Sequence, residues 1–296
     1  MRENAVAILR TEELTYQYSA GTPFEKTAVD HVNLEIEEGA FVGVIGSTGS
    51  GKSTLMQHFN GLLRPTSGTV YLDGTDIWED KTKIRDVRFQ VGLVFQYPEY
   101  QLFEETVFRD IAYGPKNMGL TENEVKERVL ETAELVGLDE EILAQSPFAL
   151  SGGQKRRVAI AGVMALRPRI LILDEPTAGL DPMGREDILA EIRAYHKKTG
   201  GTVLLVSHSM EDVAKCAGKI LVMDHGSVFC YEDTAAVFRR VEQLEQLGLS
   251  VPQVTKICAE LRKRGIPLGN DIYTVQEAVR QLAACYKAKK GGASVC

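Results

Sequence analysis

The sequence predicts an α/β fold: a parallel sheet with helices on both faces, preceded by a strand-rich segment, interrupted by a helical insert and followed by a small C-terminal helical extension. Three observations carry this. The runs 41–45 and 170–173, and 202–206 after its first residue, Thr202, carry no polar side chain and are separated by helical patterns, as expected of strands covered on both sides. A glycine-rich loop joins the first of these runs to an amphipathic helix. Beyond about Arg239, two short helical patterns carry apolar stripes that they cannot bury alone, so they must dock on something.

In chain order, residues 5–18 and 28–37 alternate as half-buried strands and lead to the apolar run 41–45. After the glycine-rich loop, Leu55, Phe59 and Leu62 share one helical face, closed by Pro65 and Gly68. Short strands are expected at 69–72 and near 91–95. From about Thr106 to Gln145 the pattern is helical. Thr121 with Glu124 forms a capping box, Val125, Val129, Ala133 and Val136 align, and Gly137 stops that helix. Strand and helix then alternate: strand 170–173, helix 185–198, strand 202–206, helix 210–217, and strands at 219–224 and 227–231. In the extension, Ser250 with Gln253 and Thr274 with Glu277 cap two helices, and the basic run 287–290 is expected to fray with the tail.

The chain has 296 residues, 44% hydrophobic and 25% charged, enough for a sizeable core. A net charge of −7 argues against a general nucleic-acid binder, which would usually show a basic footprint. The N-terminal residues do not read as a signal peptide. The longest uncharged apolar run, 158–166, is far short of the roughly 20 residues that span a bilayer. The five cysteines, Cys216, Cys230, Cys258, Cys285 and Cys296, lack metal-binding spacing and read as reduced thiols.

Gly46-Ser47-Thr48-Gly49-Ser50-Gly51-Lys52-Ser53, followed by Thr54, fits a phosphate-binding loop. Glycines let backbone N–H groups turn inward around phosphate oxygens at a helix N-terminus. Lys52 would reach the β- and γ-phosphates of ATP, and Ser53 would ligate Mg²⁺. The run 170–173 ends in Asp174 and Glu175, which a parallel sheet delivers to its carboxyl edge. Asp174 is expected to hold Mg²⁺ and Glu175 to act as general base. Taken alone, two acidic residues after a strand are equally well a solvated strand end.

Leu150-Ser151-Gly152-Gly153-Gln154 separates this chain from other phosphate-loop proteins. These five residues resemble the signature of the ABC ATPase family. The resemblance implies a P-loop NTPase core of RecA-like type with an antiparallel β subdomain and a helical insert. It also implies that the Ser151 helix end covers ATP held by a partner subunit. By the same resemblance, Gln96 looks like the Q-loop glutamine, which senses Mg²⁺ and the transmembrane partner, Gly179-Leu180-Asp181 like the D-loop, and His208 like the switch histidine at the γ-phosphate. Tyr18 looks like the aromatic that stacks on adenine, with Tyr16 the competing choice. His31, His58, His196 and His225 are read as surface residues.

Residues 95–107, containing Tyr97-Pro98-Glu99-Tyr100-Gln101-Leu102-Phe103-Glu104-Glu105, resemble the Q-loop region of energy-coupling factor transporter ATPases, which power uptake of vitamins and of cobalt or nickel ions. The wording is most similar to the second of that group's two paralogues. This implies a heterodimer with the first, a transmembrane coupling subunit, a substrate-binding membrane subunit, no nucleic acid, and a peripheral place on the cytoplasmic face of the membrane. Glu99, Glu104 and Glu105 would then face arginines of the coupling subunit, although on charge alone a solvated run explains them. The rival roles are the ATPase of an ordinary binding-protein-dependent importer and a soluble ABC ATPase of repair or translation. The expected domains are an ATP-binding domain at 1–238, with its helical insert at about 100–165, and an extension at 239–296.

Overall fold

The computed structural model describes residues 7–291. Two long strands, β1 (Ala7–Tyr18) and β2 (Lys26–Glu37), pair antiparallel. β3 (Phe41–Gly46) is buried throughout and runs through the glycine-rich loop into α1 (Lys52–Phe59). β4 (Ser67–Leu72) and the two-residue β5 (Thr75–Asp76) complete a four-stranded antiparallel sheet in the order β2-β1-β4-β5. A helix the sequence pattern did not show, α2 (Ile84–Gln90), precedes β6 (Val91–Val94). Helices α3 (Val107–Asn117), α4 (Glu122–Leu135), α5 (Glu140–Leu143) and α6 (Gly152–Met164) follow.

The chain then alternates: β7 (Ile170–Asp174), α7 (Pro182–Thr199), β8 (Thr202–Val206), α8 (Met210–Cys216), β9 (Lys219–Asp224) and β10 (Ser227–Asp233). The second sheet has the order β10-β9-β3-β8-β7-β6 and is parallel except for β10, which pairs antiparallel with β9 at the edge. The C-terminal helices are α9 (Thr234–Arg239), α10 (Val241–Gln246), α11 (Gln253–Lys263) and α12 (Val275–Gly291).

The unbroken apolar runs have a plain cause. Successive residues of a strand point to opposite faces, and both faces of the larger sheet are covered. Leu171, Leu173, Val203 and Leu205 enter a core shared with α3, α4, α6 and α7. Ile170, Ile172, Leu204 and Val206 enter a second core against α1 and the antiparallel sheet. Truncating such a side chain to alanine costs about 2–5 kcal/mol. Leu244, Leu249 and Val251 still belong to the first core, whereas Cys258, Leu268, Ile272 and Ala278 form a small separate cluster.

Several sequence expectations are corrected. α1 ends at Phe59, so Leu62 lies beyond it and is exposed. α7 begins at Pro182, because Asp181 caps it through a bond from the Gly184 N–H. α11 has Pro252 at its N-cap, and Ser250 bonds instead to the Val251 carbonyl. Residues 287–290 fall within α12, whereas the tail from 292, with Cys296, lies outside the described residues. His58 is fully buried, its Nδ1 2.7 Å from the Thr54 carbonyl oxygen, and His196 is half-buried with Nε2 on the Gly39 carbonyl oxygen. His31 and His225 are exposed. Cys216, Cys230, Cys258 and Cys285 are free thiols.

Candidate active site

Three neighbouring strands set the site. β8 lies between β3 and β7, with Val206 in register with Val44 on one side and with Asp174 on the other. The glycine-rich loop, the acidic strand end and His208 therefore emerge side by side at the sheet's carboxyl edge, the usual ligand position of such folds. They open on a cleft of about 400 Å³ lined by Tyr18, Thr48, Gly49, Gly51, Lys52, Ser53, Thr54, Gln96, Asp174, Glu175 and His208.

Backbone demands explain the loop's glycines. Gly51, at φ 98°, passes so close to β2 that a Cβ would sit 2.2 Å from the Ala28 carbonyl oxygen. Gly46 passes equally tightly against Met223. Gly49, at φ 82°, faces open space, which leaves its backbone accessible to a ligand. Gly46, Ser47 and Ser50 are not among the residues that line the cleft. Lys52 Nζ donates to the Gly46 and Ser47 carbonyls at 2.7 and 2.9 Å. Burial lowers the pKa of Lys52, against the pull of Glu175 and Asp174.

Asp174 is raised above the ordinary aspartate range by burial, partly offset by its hydrogen bond from Ser53. Glu175 is pushed up to about 7, chiefly by burial and then by the negative charge of Asp174. It also sits at φ 52°, a left-handed conformation uncommon for a non-glycine residue, with its N–H donating to the Val206 carbonyl oxygen. His208 Nε2 lies 3.6 Å from Glu175 Oε1, and burial followed by Lys52 lowers the pKa of the imidazole. Glu175 Oε1 and Ser50 Oγ are buried with no hydrogen-bond partner. Orphaned buried oxygens beside a lysine and an aspartate fit a site built for polyphosphate with its cation.

Of the two tyrosines, Tyr18 lines the cleft, its hydroxyl 3.2 Å from Thr54 Oγ1. Tyr16 turns inward, edge-on to His58 at 4.8 Å between ring centroids. Lys26, unmarked in the sequence, also lines the cleft, because antiparallel pairing sets it opposite Tyr18. No local pattern could have found it.

Ser151, Gly152, Gly153, Gln154 and Asp181 are not in this cleft. They line a second one of about 620 Å³, with Leu150 buried beneath. Ser151 and Gln154 form a reciprocal capping box that opens α6. A Cβ at Gly152 or Gly153 would meet nothing within 4 Å, so nothing inside this chain requires glycine there. Glu99, expected to await a partner's arginine, is already held by Arg156 of this chain through two bonds at 2.7 and 3.1 Å. Glu105 pairs with Arg109 one helical turn on. Among the described residues, the Glu104 carboxylate has no ion pair. The preceding residues Leu102 and Phe103 line an apolar cleft with Tyr113 and Leu166.

The ABC transporter family profile matches residues 29–178. The energy-coupling factor transporter ATP-binding protein EcfA2 of Caldanaerobacter subterraneus subsp. tengcongensis is 54% identical over 282 residues, covering 95% of this chain and 99% of that protein. Its namesake from Clostridium perfringens is 56% identical over 275 residues, covering 93% of this chain and 96% of that protein. Among solved structures, CbiO1 of Clostridium perfringens, described as part of the ABC transporter complex CbiONQ, superposes with a TM-score of 0.73 at 37% identity, covering 86% of this chain and 99% of that one. The ATP-binding cassette MJ0796, a dimer in a post-hydrolysis state bound to ADP and phosphate, gives 0.69 at 30% identity, covering 76% of this chain and 98% of that one. With such identity over nearly its whole length, this chain belongs to the ABC transporter ATPase family and, within it, to the energy-coupling factor transporter ATP-binding proteins.

Proposed function

We propose that this chain binds and hydrolyses ATP as one half of a nucleotide-sandwiching pair that powers an energy-coupling factor importer of vitamins or transition-metal ions. One observation carries the pairing. The Lys52 cradle and the Ser151 helix end open on separate clefts of the same chain, and Gly152 and Gly153 of the second face open space that nothing in this chain fills.

In this scheme Lys52 exchanges its two loop carbonyls for β- and γ-phosphate oxygens, and amides from Gly46 to Thr54 surround the phosphates. Ser53, Asp174 and Gln96 would hold Mg²⁺, which when bound neutralises phosphate charge. Tyr18 stacks on the adenine. Glu175 takes a proton from the attacking water at its free oxygen, water oxygen bonds to the γ-phosphorus, and the bond to the bridging oxygen breaks to leave ADP and phosphate. A base of pKa about 7 suits this work at neutral pH. His208 orients the γ-phosphate. From the partner, Ser151, Gly152, Gly153 and the Asp181 loop close the site.

The partner ATPase is a paralogue, and the pair sits on the cytoplasmic face of the membrane beneath a coupling subunit and a substrate-binding subunit. No described helix is long and apolar enough to cross a membrane. The apolar cleft lined by Phe103, together with the neighbouring segment that carries Glu104 and Glu105, is the surface offered to the coupling subunit. Residues 1–238 are assigned to the ATP-binding domain, with the insert at about 100–165, and residues 239–296 to the extension; the separate cluster around Cys258 supports the outer part of that extension, while Leu244, Leu249 and Val251 tie its start to the main core. The test is Lys52→Ala in protein recovered from membranes. It should lose ATP binding and hydrolysis while still bringing down a paralogous ATPase and a multi-span subunit. Undiminished ATP turnover, or recovery with nucleic acid in place of membrane subunits, refutes the proposal.

A further inference from the structure

Arg156, two residues past Gln154 on α6, is 2% exposed. A buried guanidinium is costly unless its donors find acceptors. Arg156 finds them on two segments that are distant in sequence. Nε and Nη2 grip both carboxylate oxygens of Glu99. Nη1 donates to the carbonyl oxygens of Pro176, at 3.3 Å, and Ala178. The guanidinium carbon also stands 6.0 Å from the ring centroid of Tyr97, which sits in the left-handed region at φ 55°. One side chain thus ties the turn that follows Gln96 to the loop that leads from Glu175 towards Asp181, and does so from the helix that begins at Ser151.

We propose that Arg156 is a positioning residue for ATP hydrolysis, holding the turn at 96–99 against the loop at 176–178 so that displacement of the turn carries the catalytic loop with it. The proposal rests on the ATPase assignment of the Lys52 and Glu175 site. Arginine suits the task because its planar fork engages a carboxylate with two nitrogens and leaves a third for the carbonyls. A lysine at this place keeps the charge but makes a single-point contact.

The experiment compares Arg156→Met, Arg156→Lys, Glu99→Ala and the double variant Arg156→Met/Glu99→Ala, each in the assembled complex. Arg156→Met and Glu99→Ala should each lower kcat for ATP by about tenfold and leave KM within about twofold. The double variant should be no slower than the slower single, because both changes cut the same tie. Arg156→Lys should fall between wild type and Arg156→Met. Thermal melts accompany each variant, and the double removes the carboxylate that Arg156→Met leaves unpaired, so it reports even if that single folds poorly. Unchanged kcat throughout, effects that multiply in the double, or a KM rise that accounts for the loss overturns the inference. Lys52→Ala is run alongside. If it turns over ATP normally, the assignment of the site is wrong; if it is dead while the Arg156 variants are normal, only the tie is refuted.

Discussion

Glu175→Gln should make the isolated chain more stable at pH 8 while abolishing turnover, and the structure gives the size of the gain. Burial and Asp174 raise this carboxyl from 4.5 to about 7 in the folded chain, and its side chain is only 12% exposed. Between those two values the folded chain holds a proton that the unfolded chain has released, so stability falls as pH rises through this window. Above about 7 the full penalty is in place, about 3 kcal/mol at 1.36 kcal/mol per pKa step. Glutamine keeps the shape without the charge. The variant should therefore gain about 3 kcal/mol at pH 8 and under about 1 kcal/mol at pH 5. Urea unfolding of the nucleotide-free protein at both pH values measures this. Wild-type kcat/KM should rise about tenfold per pH unit below 7 and level off above it, since it reports the base of the free enzyme. An equal gain at both pH values, or wild-type turnover by the variant, would refute the assignment of Glu175 as a buried base.

Other outcomes follow from the same geometry. Gly153→Asp should abolish hydrolysis by the pair and leave ATP binding to the isolated chain unchanged in equilibrium titration, because its new side chain meets only what comes from outside. Tyr18→Ala should raise KM for ATP by about tenfold, one aromatic stack on a base being worth roughly 1–3 kcal/mol. Tyr16→Phe should leave that KM unchanged, since Tyr16 keeps its ring against His58. Replacing Glu104 and Glu105 together by glutamine should weaken copurification with the membrane subunits without altering ATP binding. Undiminished recovery would remove these carboxylates from the interface.

Local chemistry was the legible part. The loop from Gly46 to Ser53 and the helix end at Ser151 declare themselves, because turn geometry and capping are decided within a few residues. The buried strands were equally plain, since both faces of β3, β7 and β8 had to be apolar. What eluded the sequence depends on distant partners. Glu99 looked like a free surface carboxylate because Arg156 lies 57 positions away. His58 looked exposed because only the fold brings Tyr16 over it. Lys26 reaches the cleft through strand pairing alone. The boundary errors were small competitions between caps: Pro252 displaced Ser250, and Asp181 started α7 earlier than its apolar stripe implied.

That the lysine-bearing loop and the serine-bearing helix end face different clefts has a consequence for how faults combine. On the proposed pairing, a chain broken at one of them cripples a single compound site and leaves its twin intact, whereas a chain broken at both cripples two. A complex assembled from unlike subunits can therefore retire one of its sites by substitutions in either subunit, and this chain, with Lys52, Glu175, His208 and Ser151 all in place, withholds nothing from either.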